Sequence, residues 1–194
     1  MKSLIKAAAH AIFLALAFPC ALLAGFGRFT GVFRLFAQAF ALGPGVIGDY
    51  ARAGYYSMTL RRCSLDTRIA FGTYFVYPEA VVEPSVAIGA YCILGHVRIG
   101  RHTQIASHVQ VLSGTRQHVR GADGVLRDGM YTPVNIGAEC WIGASALIAA
   151  DVGEGVTVAA GAVVLQPVPA GISVAGNPAR PIGLAKSAAK SMEQ

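Results

Sequence analysis

Residues 69–111 read IAFGTYFVYPEAVVEPSVAIGAYCILGHVRIGRHTQIASHVQV, and an apolar residue stands at every sixth position of this stretch. These positions are Ile69, Phe75, Val81, Ala87, Ile93, Ile99, Ile105 and Val111. A period of six matches neither the 3.6-residue period of an α-helix nor the simple alternation of a half-buried strand. It fits short strands wound into a solenoid, in which each turn buries its repeat position near the axis. We therefore predict a solenoid in which these side chains point inward.

The repeat resumes after a gap. The hexads IGAECW and IGASAL occupy 136–147, and VGEGVT and VAAGAV occupy 152–163 after a slip in phase. The residues four places after the repeat positions are mostly small, namely Thr103, Val109, Cys140, Ala146, Val156 and Ala162. We expect these residues to share the interior, so Cys140 is interpreted as a core residue rather than a reactive thiol.

The composition indicates one sizeable apolar domain with an accessory segment. Of the 194 residues, 54% are hydrophobic and 13% are charged, and the mean hydropathy is +0.52. Such a composition argues against a disordered chain, and the length argues against a second catalytic domain. The four cysteines are scattered without a CxxC pair. This pattern indicates free thiols in a reducing compartment rather than a zinc ribbon or a disulfide framework.

The net charge of +6 is concentrated at one end of the chain. Residues 1–42 hold Lys2, Lys6, Arg28 and Arg34 and no acidic residue, so they contribute +4 and the remaining residues only +2. This basic excess coincides with the most apolar part of the chain. It favours binding to an anionic membrane surface, and no nucleic-acid-binding motif supports a nucleic-acid partner.

The first 42 residues contain two apolar segments. Residues 7–27 carry no Asp, Glu, Lys or Arg over a length that suffices to cross a bilayer, but Pro19 would kink a helix there. A second apolar and basic segment follows at 28–42. Two short or kinked helices lying in one leaflet fit better than a span, and packing on neighbouring subunits is the other alternative. A secretory signal peptide shares the pattern, but no convincing cleavage site follows.

A Gly-Pro-Gly sequence at 43–45 marks a linker after these segments. We divide the chain into a helical membrane-associated segment with its linker (1–48), a connecting helix (49–64), the repeat domain (65–183) and a C-terminal tail (184–194). Any catalytic site is expected in the repeat domain.

Several motifs resemble those of a known family. IGRHTQ, IASHVQ, IGAECW, IGASAL and the closing VAGNPARPIG at 174–183 are similar to the hexapeptide-repeat acyltransferases, and the resemblance covers roughly residues 65–183. It implies a mainly β chain that folds as a left-handed parallel β-helix, here with N-terminal apolar α-helices. ARAGYYSMTLRRC at 51–63 and LSGTRQHV at 112–119 resemble the O-acetyltransferases that modify cell-surface polysaccharides or their lipid-linked precursors.

The six-residue rhythm fails over 113–135, so this stretch is expected to leave the solenoid as a long loop. Long loops in regular domains are disproportionately functional. The loop contains His118, and the resemblance implies that a histidine on such a loop is the general base. A neutral imidazole can take the proton of a sugar hydroxyl as that hydroxyl attacks a thioester. The alternative is an exposed histidine without a task. Asp123 or Asp128 could orient His118, and the sequence does not choose between them.

The resemblance assigns two more residues to the catalytic cleft. Trp141 matches a tryptophan that walls the cleft in acetyltransferases of this family, and an anchor between subunits is the alternative. Ala144 matches the position whose backbone N–H contacts the thioester oxygen. Backbone donors of this kind stabilise the oxyanion whatever their side chain.

A further group of residues is assigned to coenzyme A by the same resemblance. Ala160 and Gly161 match the passage of the pantetheine arm, where small residues leave room. Arg180 matches a residue near the nucleotide phosphates, and a structural arginine is the alternative. Relatives often place a lysine for phosphate where this chain has Gln166, so coenzyme A affinity is expected to depend more on Arg180.

Three histidines at a spacing of six, His96, His102 and His108, suggest a metal site at first sight. Each occupies the fourth place of its hexad, so the three side chains point from successive faces of the coil. They cannot converge within one subunit, and we predict no bound metal.

Together these expectations describe a homotrimeric O-acetyltransferase with acetyl-CoA as co-substrate. Its acceptor would be a sugar hydroxyl of a cell-surface or lipid-linked glycan, and residues 1–42 would hold it peripherally or monotopically on the cytoplasmic side of the inner membrane. An N-acetyltransferase of an amino-sugar nucleotide is the alternative among enzymes. A non-catalytic solenoid scaffold is the alternative of another class.

Overall fold

A computed structural model describes residues 2–115 and 117–183, with side chains from residue 6 onward. Over the described residues the chain begins with three α-helices and continues in strands of two or three residues. The predicted C-terminal tail, 184–194, lies outside the described residues.

The short strands stack into three sheets, which form three faces of a solenoid. The first sheet contains β1 (Arg62–Cys63), β4 (Val81–Val82), β7 (Val97–Ile99) and β12 (Val134–Ile136). The second contains β2 (Arg68–Ile69), β5 (Ala87–Ile88), β8 (Gln104–Ile105), β13 (Trp141–Ile142), β15 (Thr157–Val158), β17 (Ser173–Ala175) and β18 (Arg180–Ile182). The third contains β3 (Tyr74–Phe75), β6 (Ile93–Leu94), β9 (Gln110–Val111), β14 (Leu147–Ile148) and β16 (Val163–Val164).

All pairings between successive coils are parallel, and an antiparallel β18 closes the second sheet. The six parallel strands of that sheet, counted over the described residues, correspond to about six turns. The predicted fold class, a mainly β hexapeptide-repeat solenoid with N-terminal apolar α-helices, is therefore confirmed.

The interior of the solenoid contains most of the predicted repeat positions. Ile69, Phe75, Ile99, Ile105 and Val111 are buried as expected. The second set of predicted interior residues is buried as well, namely Thr103, Val109, Cys140, Ala146, Val156 and Ala162. Burial raises the pKa of the Cys140 thiol, which agrees with its interpretation as a core residue.

The prediction is wrong for Val81, Ala87 and Ile93, which face outward. Ile93 is 38% exposed, and the interior positions of these coils are the following residues, Val82, Ile88 and Leu94.

Two turns of unequal length cause this slip. Interior residues are seven apart from Phe75 to Val82 and five apart from Leu94 to Ile99. The first turn therefore adds one residue and the second removes it one coil later. A shift of one residue moves a strand's side chains to the opposite face, so a count in strict sixes chooses the wrong neighbour between these turns.

The glycines of the Ile-Gly pairs are required by the stacking of the coils. A Cβ on Gly137 would lie 2.5 Å from the backbone N of Glu154, and one on Gly143 would collide with the backbone N of Ala160. Neither clash can be relieved by a side-chain rotation, because the opposing atom is backbone.

Three helices form a cap on the first coil, and we refer to residues 2–60 as the helical cap. The helices are α1 (Lys2–Leu23), α2 (Thr30–Ala41) and α3 (Gly45–Thr59), with a 3-10 turn at Gly25–Gly27. Helix α1 continues through Pro19 as one helix of 22 residues, so the first apolar segment does not form a short helix. Helix α3 crosses the predicted boundary at 48/49, because Pro44 directly precedes its first residue.

The buried Arg52 joins the cap to the solenoid. Its guanidinium donates hydrogen bonds to the carbonyl oxygens of Phe40 (3.0 Å) in the last turn of α2, of Gly43 (2.7 Å) just after α2, and of Ile69 (2.7 Å) in β2. Asp49 accepts another bond at 2.7 Å. This arginine therefore satisfies carbonyl groups that the end of α2 leaves without helical partners.

Aromatic side chains continue the solenoid core into the cap. Tyr55 and Tyr56 of α3 are buried between Phe33 of α2 and Phe75 of β3. The Tyr55 hydroxyl donates to the carbonyl of Phe33 at 2.9 Å. Cap and solenoid therefore share one hydrophobic core.

Candidate functional site

The predicted loop over 113–135 leaves the solenoid at the turn between the third and first sheets, which we call the loop corner. It forms a hairpin of β10 (His118–Arg120) and β11 (Leu126–Asp128), in which His118 stands opposite Asp128. All six strand residues are exposed, so the hairpin projects away from the core.

The two ends of this loop are fixed to the coil below. Ser113 is buried, and its Oγ accepts a hydrogen bond from the backbone N–H of His96 at 2.9 Å. The backbone N–H of Thr132 donates to the Ser113 carbonyl at 3.0 Å. Gly114 adopts a φ of +82° beside Thr132, where any Cβ would collide with the Thr132 hydroxyl. The base of the loop is therefore rigidly placed even though its hairpin is exposed.

The structure chooses between the two acids that could orient His118. The His118 side chain is 62% exposed, and its Nδ1 lies 3.7 Å from Oδ1 of Asp128. Asp123 is occupied by Arg127, whose guanidinium nitrogens lie 2.9 and 2.5 Å from its carboxylate and lower its pKa. Asp128 is therefore the acid beside the imidazole, at a distance that would have to shorten to form a hydrogen bond.

A groove of about 370 Å³ lies beside His118. It is lined by Leu112 just before the loop, by Gly114, Thr115 and Gln117 from the loop, and by Ala149 and Leu165 from the two following coils. Gln166 is the exposed neighbour of Leu165 at the same corner. The histidine thus faces a surface along which an extended ligand can lie.

The turn between the second and third sheets, which we call the Ala144 corner, brings together Ala144, Ala160 and Gly161. All three residues are exposed. Ala144 belongs to one coil and Ala160 and Gly161 to the next, and the Gly161 N–H donates to the Ala144 carbonyl at 2.8 Å. Gly161 has a φ of +69°, and a Cβ there would meet no atom within 4 Å. The Ala144 N–H donates no hydrogen bond to any residue that the structure describes. It is therefore available to a ligand.

Trp141 lies on the outer face of the second sheet, between Gln104 and Thr157. Its side chain is 53% exposed in the single chain and borders a second groove, of about 310 Å³, with Arg68 and Ser107. Arg180 is exposed on β18, and its guanidinium donates to the carbonyl of Ala179 at 2.9 Å.

One chain does not assemble the predicted site residues around one point. Ala144 and the His118 groove lie at opposite edges of the third sheet, since Ala149 is five positions after Ala144, which corresponds to roughly 16 Å in an extended chain. Trp141 faces outward from a different sheet and borders a different groove.

The three histidines spaced by six lie at different corners. His102 and His108 occupy left-handed turn positions with φ of +58° and +62°, and His96 lies at the loop corner. In the part of the chain that the structure describes, no three His, Cys, Asp or Glu side chains are grouped so that they could hold a metal ion.

The outer surface of the helical cap is strongly apolar. Among the described residues, one helix is long and apolar enough to cross a membrane: an 18-residue window of α1, Lys6–Leu23, has a mean hydropathy of 1.8 and is only 11% buried. Exposed apolar side chains cover this part of the chain, namely Ile12, Leu16, Phe18, Leu22, Leu23, Phe26, Phe29, Leu35, Leu42, Val46 and Ile47.

Sequence reasoning missed a group of aromatic residues beneath the loop. At the loop corner the Tyr77 ring lies 6.4 Å from the His96 ring and 6.2 Å from the Tyr131 ring, measured between ring centroids. The two contacting pairs are 19 and 54 residues apart in the sequence, so only the stacking of the coils shows their proximity.

Comparison with known proteins identifies the repeat. The family model described as the hexapeptide repeat of succinyl-transferase matches residues 133–166. No curated protein sequence matches the chain.

Solved structures share the fold. A hexapeptide-repeat-containing acetyltransferase from Vibrio cholerae is 18% identical with a TM-score of 0.65, over 84% of this chain and 92% of its own. A maltose O-acetyltransferase from Clostridium difficile is 18% identical with a TM-score of 0.58, over 80% and 87%. An N-acyltransferase from Bacillus cereus in complex with dTDP and coenzyme A is 20% identical with a TM-score of 0.51, over 66% and 75%.

Proposed function

Because the chain carries hexapeptide repeats in the fold of the hexapeptide-repeat acetyltransferases, we propose that it transfers an acetyl group from acetyl-CoA to a hydroxyl of a surface or lipid-linked glycan. The observation that carries this proposal is the position of His118. The imidazole is exposed on a firmly based loop, has a carboxylate beside it, and faces a groove formed by the coils.

His118 acts as the general base in this proposal. Asp128, 3.7 Å from Nδ1, favours the tautomer with the proton on Nδ1, which leaves Nε2 free to accept. As the sugar oxygen bonds to the thioester carbon, Nε2 takes the hydroxyl proton. When the C–S bond breaks, the imidazolium returns that proton to the leaving thiolate. Catalytic hydrogen bonds often tighten only when substrate is bound, which accommodates the long distance to Asp128.

The Ala144 corner supplies the acyl-donor side of the site. The N–H of Ala144, which donates to no described residue, would stabilise the oxyanion of the tetrahedral intermediate. Ala160 and Gly161 leave space on the next coil for the pantetheine arm. Arg180 and Gln166, both exposed at the far end of the solenoid, would contact the nucleotide part of coenzyme A.

A trimer would bring these parts together. His118 and Ala144 lie at opposite edges of one sheet, so the loop of one subunit has to meet the Ala144 corner of another. Trp141, exposed in the single chain, would then wall the cleft between two subunits. A homotrimer closes this arrangement with three equivalent sites.

The helical cap would hold the enzyme on a membrane. Its exposed apolar residues lie beside the exposed basic residues Lys6, Arg28 and Arg34, the combination that favours an anionic bilayer surface. An acceptor at the membrane benefits from this anchoring, because both partners then share a surface. Acetyl-CoA is a cytoplasmic metabolite, so we propose the cytoplasmic side of the inner membrane.

Transfer to an amino group of a sugar nucleotide is the second candidate, since one protein of this fold is an N-acyltransferase in complex with dTDP. It leaves the apolar surface of the cap without a role. If the protein were a non-catalytic scaffold, the placement of His118 beside a carboxylate and a groove would have no role.

Replacement of His118 by Ala tests the proposal. The variant should lose about 10²- to 10⁴-fold in transfer rate, as expected for a lost general base, while its melting temperature and coenzyme A binding stay unchanged. The matched control is His102→Ala, which removes an exposed histidine from a different corner. Steady-state transfer from acetyl-CoA to a panel of lipid-linked sugars, soluble sugars and amino-sugar nucleotides is the measurement. Near-normal turnover in His118→Ala would refute the assignment, and exclusive use of an amino-sugar nucleotide would favour the second candidate.

A further inference from the structure

The loop corner carries an aromatic cluster directly below the catalytic loop. The rings of Tyr77 and His96 belong to successive coils and lie 6.4 Å apart with an interplanar angle of 49°. Tyr131, on the segment of the loop that returns to the solenoid after β11, lies 6.2 Å from Tyr77 at 54°. Tyr131 is 41% exposed, and the other two rings are half-buried. The three rings therefore present a partly open surface rather than a closed core.

The backbone fixes this surface relative to His118. His96 is bonded through its N–H to Ser113 at the start of the loop, and its carbonyl accepts from the Val134 N–H at 2.9 Å at the end of the loop. Tyr131 is three residues from Asp128, the acid beside His118, which corresponds to about 10 Å along an extended strand. The chain therefore keeps Tyr131 within about 10 Å of the acid beside the proposed base.

The other end of the cluster meets the helical cap. Tyr77 is followed by Pro78, and a Cβ on Gly27, in the turn between α1 and α2, would lie only 3.0 Å from Cβ of Pro78. Phe26 and Phe29 of the same turn are exposed. The rings therefore lie between the apolar surface of the cap and the loop that carries His118.

We propose that Tyr77, His96 and Tyr131 form the acceptor subsite and bind a pyranose ring of a membrane-tethered saccharide. An aromatic face carries partial negative charge and attracts the C–H-rich face of a pyranose. The ring edges carry two phenol hydroxyls and the imidazole nitrogens, which can bond to sugar hydroxyls. This chemistry suits an uncharged sugar. The inference rests on the proposed function, which it deepens by naming the surface that selects the acceptor.

The proposal also gives the acceptor a direction. The lipid end would lie at the cap, the bound ring on the aromatic cluster, and the reacting hydroxyl beyond Tyr131 at His118. The acyl donor approaches from the opposite side, from the Ala144 corner of a neighbouring subunit in the proposed trimer. The aromatic cluster should therefore determine acceptor KM and leave acetyl-CoA KM unchanged.

The first test is binding, independent of turnover. Full-length protein in nanodiscs is studied by saturation-transfer NMR with hexyl glycosides of glucose, galactose, mannose and N-acetylglucosamine. The wild type should transfer saturation to the ring C–H protons of at least one glycoside. Tyr131→Ala should lose most of this signal, and Tyr131→Phe should keep it because the aromatic face remains. Tyr91→Ala is the matched control, since the Tyr91 ring stacks on that of His108 at 5.3 Å. This pair lies at the turn between the second and third sheets, two coils before Ala144.

The second test is kinetic. Tyr131→Ala and Tyr77→Ala should each raise acceptor KM about 2- to 10-fold, the value of one aromatic contact, with unchanged acetyl-CoA KM and unchanged acceptor-free hydrolysis of acetyl-CoA. Because Tyr77 contributes to packing, the melting temperature is measured for each variant, and Tyr131, which is more exposed, decides the result. Equal signals in wild type and Tyr131→Ala, or an equal loss in Tyr91→Ala, would overturn the subsite. Binding that depends on Tyr131 without acetyl transfer to any sugar would refute the proposed function and leave the subsite standing.

Discussion

The helical cap and the solenoid are both rich in apolar residues, but they bury them very differently. In the solenoid, one apolar position per strand is inside, as in Ile69, Ile105 and Ile142. In the cap, Phe33 and Tyr55 are buried, while Leu16, Leu23 and many other large apolar side chains are exposed.

The difference follows from the geometry of the two elements. In a strand of two residues, one side chain points inward and the other outward. Because the repeat places an apolar residue at the same position of every strand, this residue lies in the interior of each coil. A helix that is apolar on all sides can bury only the face that meets a neighbour. The other face requires lipid or another protein. The same composition therefore indicates a core in one region and a contact surface in the other.

The two regions nonetheless share one hydrophobic core, and the largest predicted effect tests their junction. Arg52→Ala should lower the free energy of unfolding by about 3–5 kcal/mol, because it removes the buried guanidinium that donates to the carbonyls of Gly43 and Ile69 and that pairs with Asp49. The measurement is chemical denaturation followed by circular dichroism. The control is Arg62→Ala, which removes an exposed ion pair with Glu83 at 2.9 Å and should cost less than about 1 kcal/mol.

A loss in Arg52→Ala no larger than that in Arg62→Ala would contradict this account. The cap would then be an appendage that the solenoid does not need.

A smaller effect tests the slip in the repeat. Leu94→Ala removes an interior side chain and should cost about 2–4 kcal/mol, the usual range for such a cavity. The adjacent Ile93→Ala removes a partly exposed side chain and should cost less than about 1 kcal/mol. Thermal and denaturant unfolding of the pair measure the difference. A larger loss of unfolding free energy in Ile93→Ala than in Leu94→Ala would contradict the slip, because it would make Ile93 the interior residue.

The repeat explains how much of the fold is readable from the sequence. Residues such as Ile99 and Ile105 are placed by their spacing alone, since every coil makes the same choice between inside and outside. The slip at Val82 is not readable, because it depends on a turn that is one residue longer. The role of Arg52 could not be predicted from the sequence either. Its partners are backbone carbonyls of α2 and β2, and no pattern in the sequence indicates that these carbonyls lie close together.

The candidate site divides in the same way. The failure of the rhythm predicts the loop that carries His118, and the family resemblance alone assigns a role to Ala144. The pairing of His118 with Asp128 follows from the register of the hairpin. The sequence does not reveal this register, so it could not choose between the two acids of the loop. The contact of Tyr77 with Tyr131 spans 54 residues and follows only from the stacking of the coils.

The smallest predicted effect concerns the exposed face of the cap. Leu16→Ser combined with Leu23→Ser removes two exposed leucines of α1 and should weaken binding to phosphatidylethanolamine–phosphatidylglycerol vesicles about 10- to 100-fold through the lost apolar area. The free energy of unfolding should stay unchanged, because neither side chain contributes to the core. Vesicle co-sedimentation measures the partition. Val125→Ser with Leu126→Ser is the control, since it removes two exposed apolar residues from the loop hairpin, away from the cap.

Three results would separate a membrane surface from an interface between copies of the chain. If the α1 variant no longer co-sediments with vesicles while the hairpin variant still does, the apolar face of the cap binds lipid. If both variants leave equally, exposed apolar area anywhere drives binding and the cap has no special role. If the α1 variant stays bound but changes the mass measured by light scattering, the exposed face joins subunits, and the basic residues Arg28 and Arg34 do not serve a bilayer.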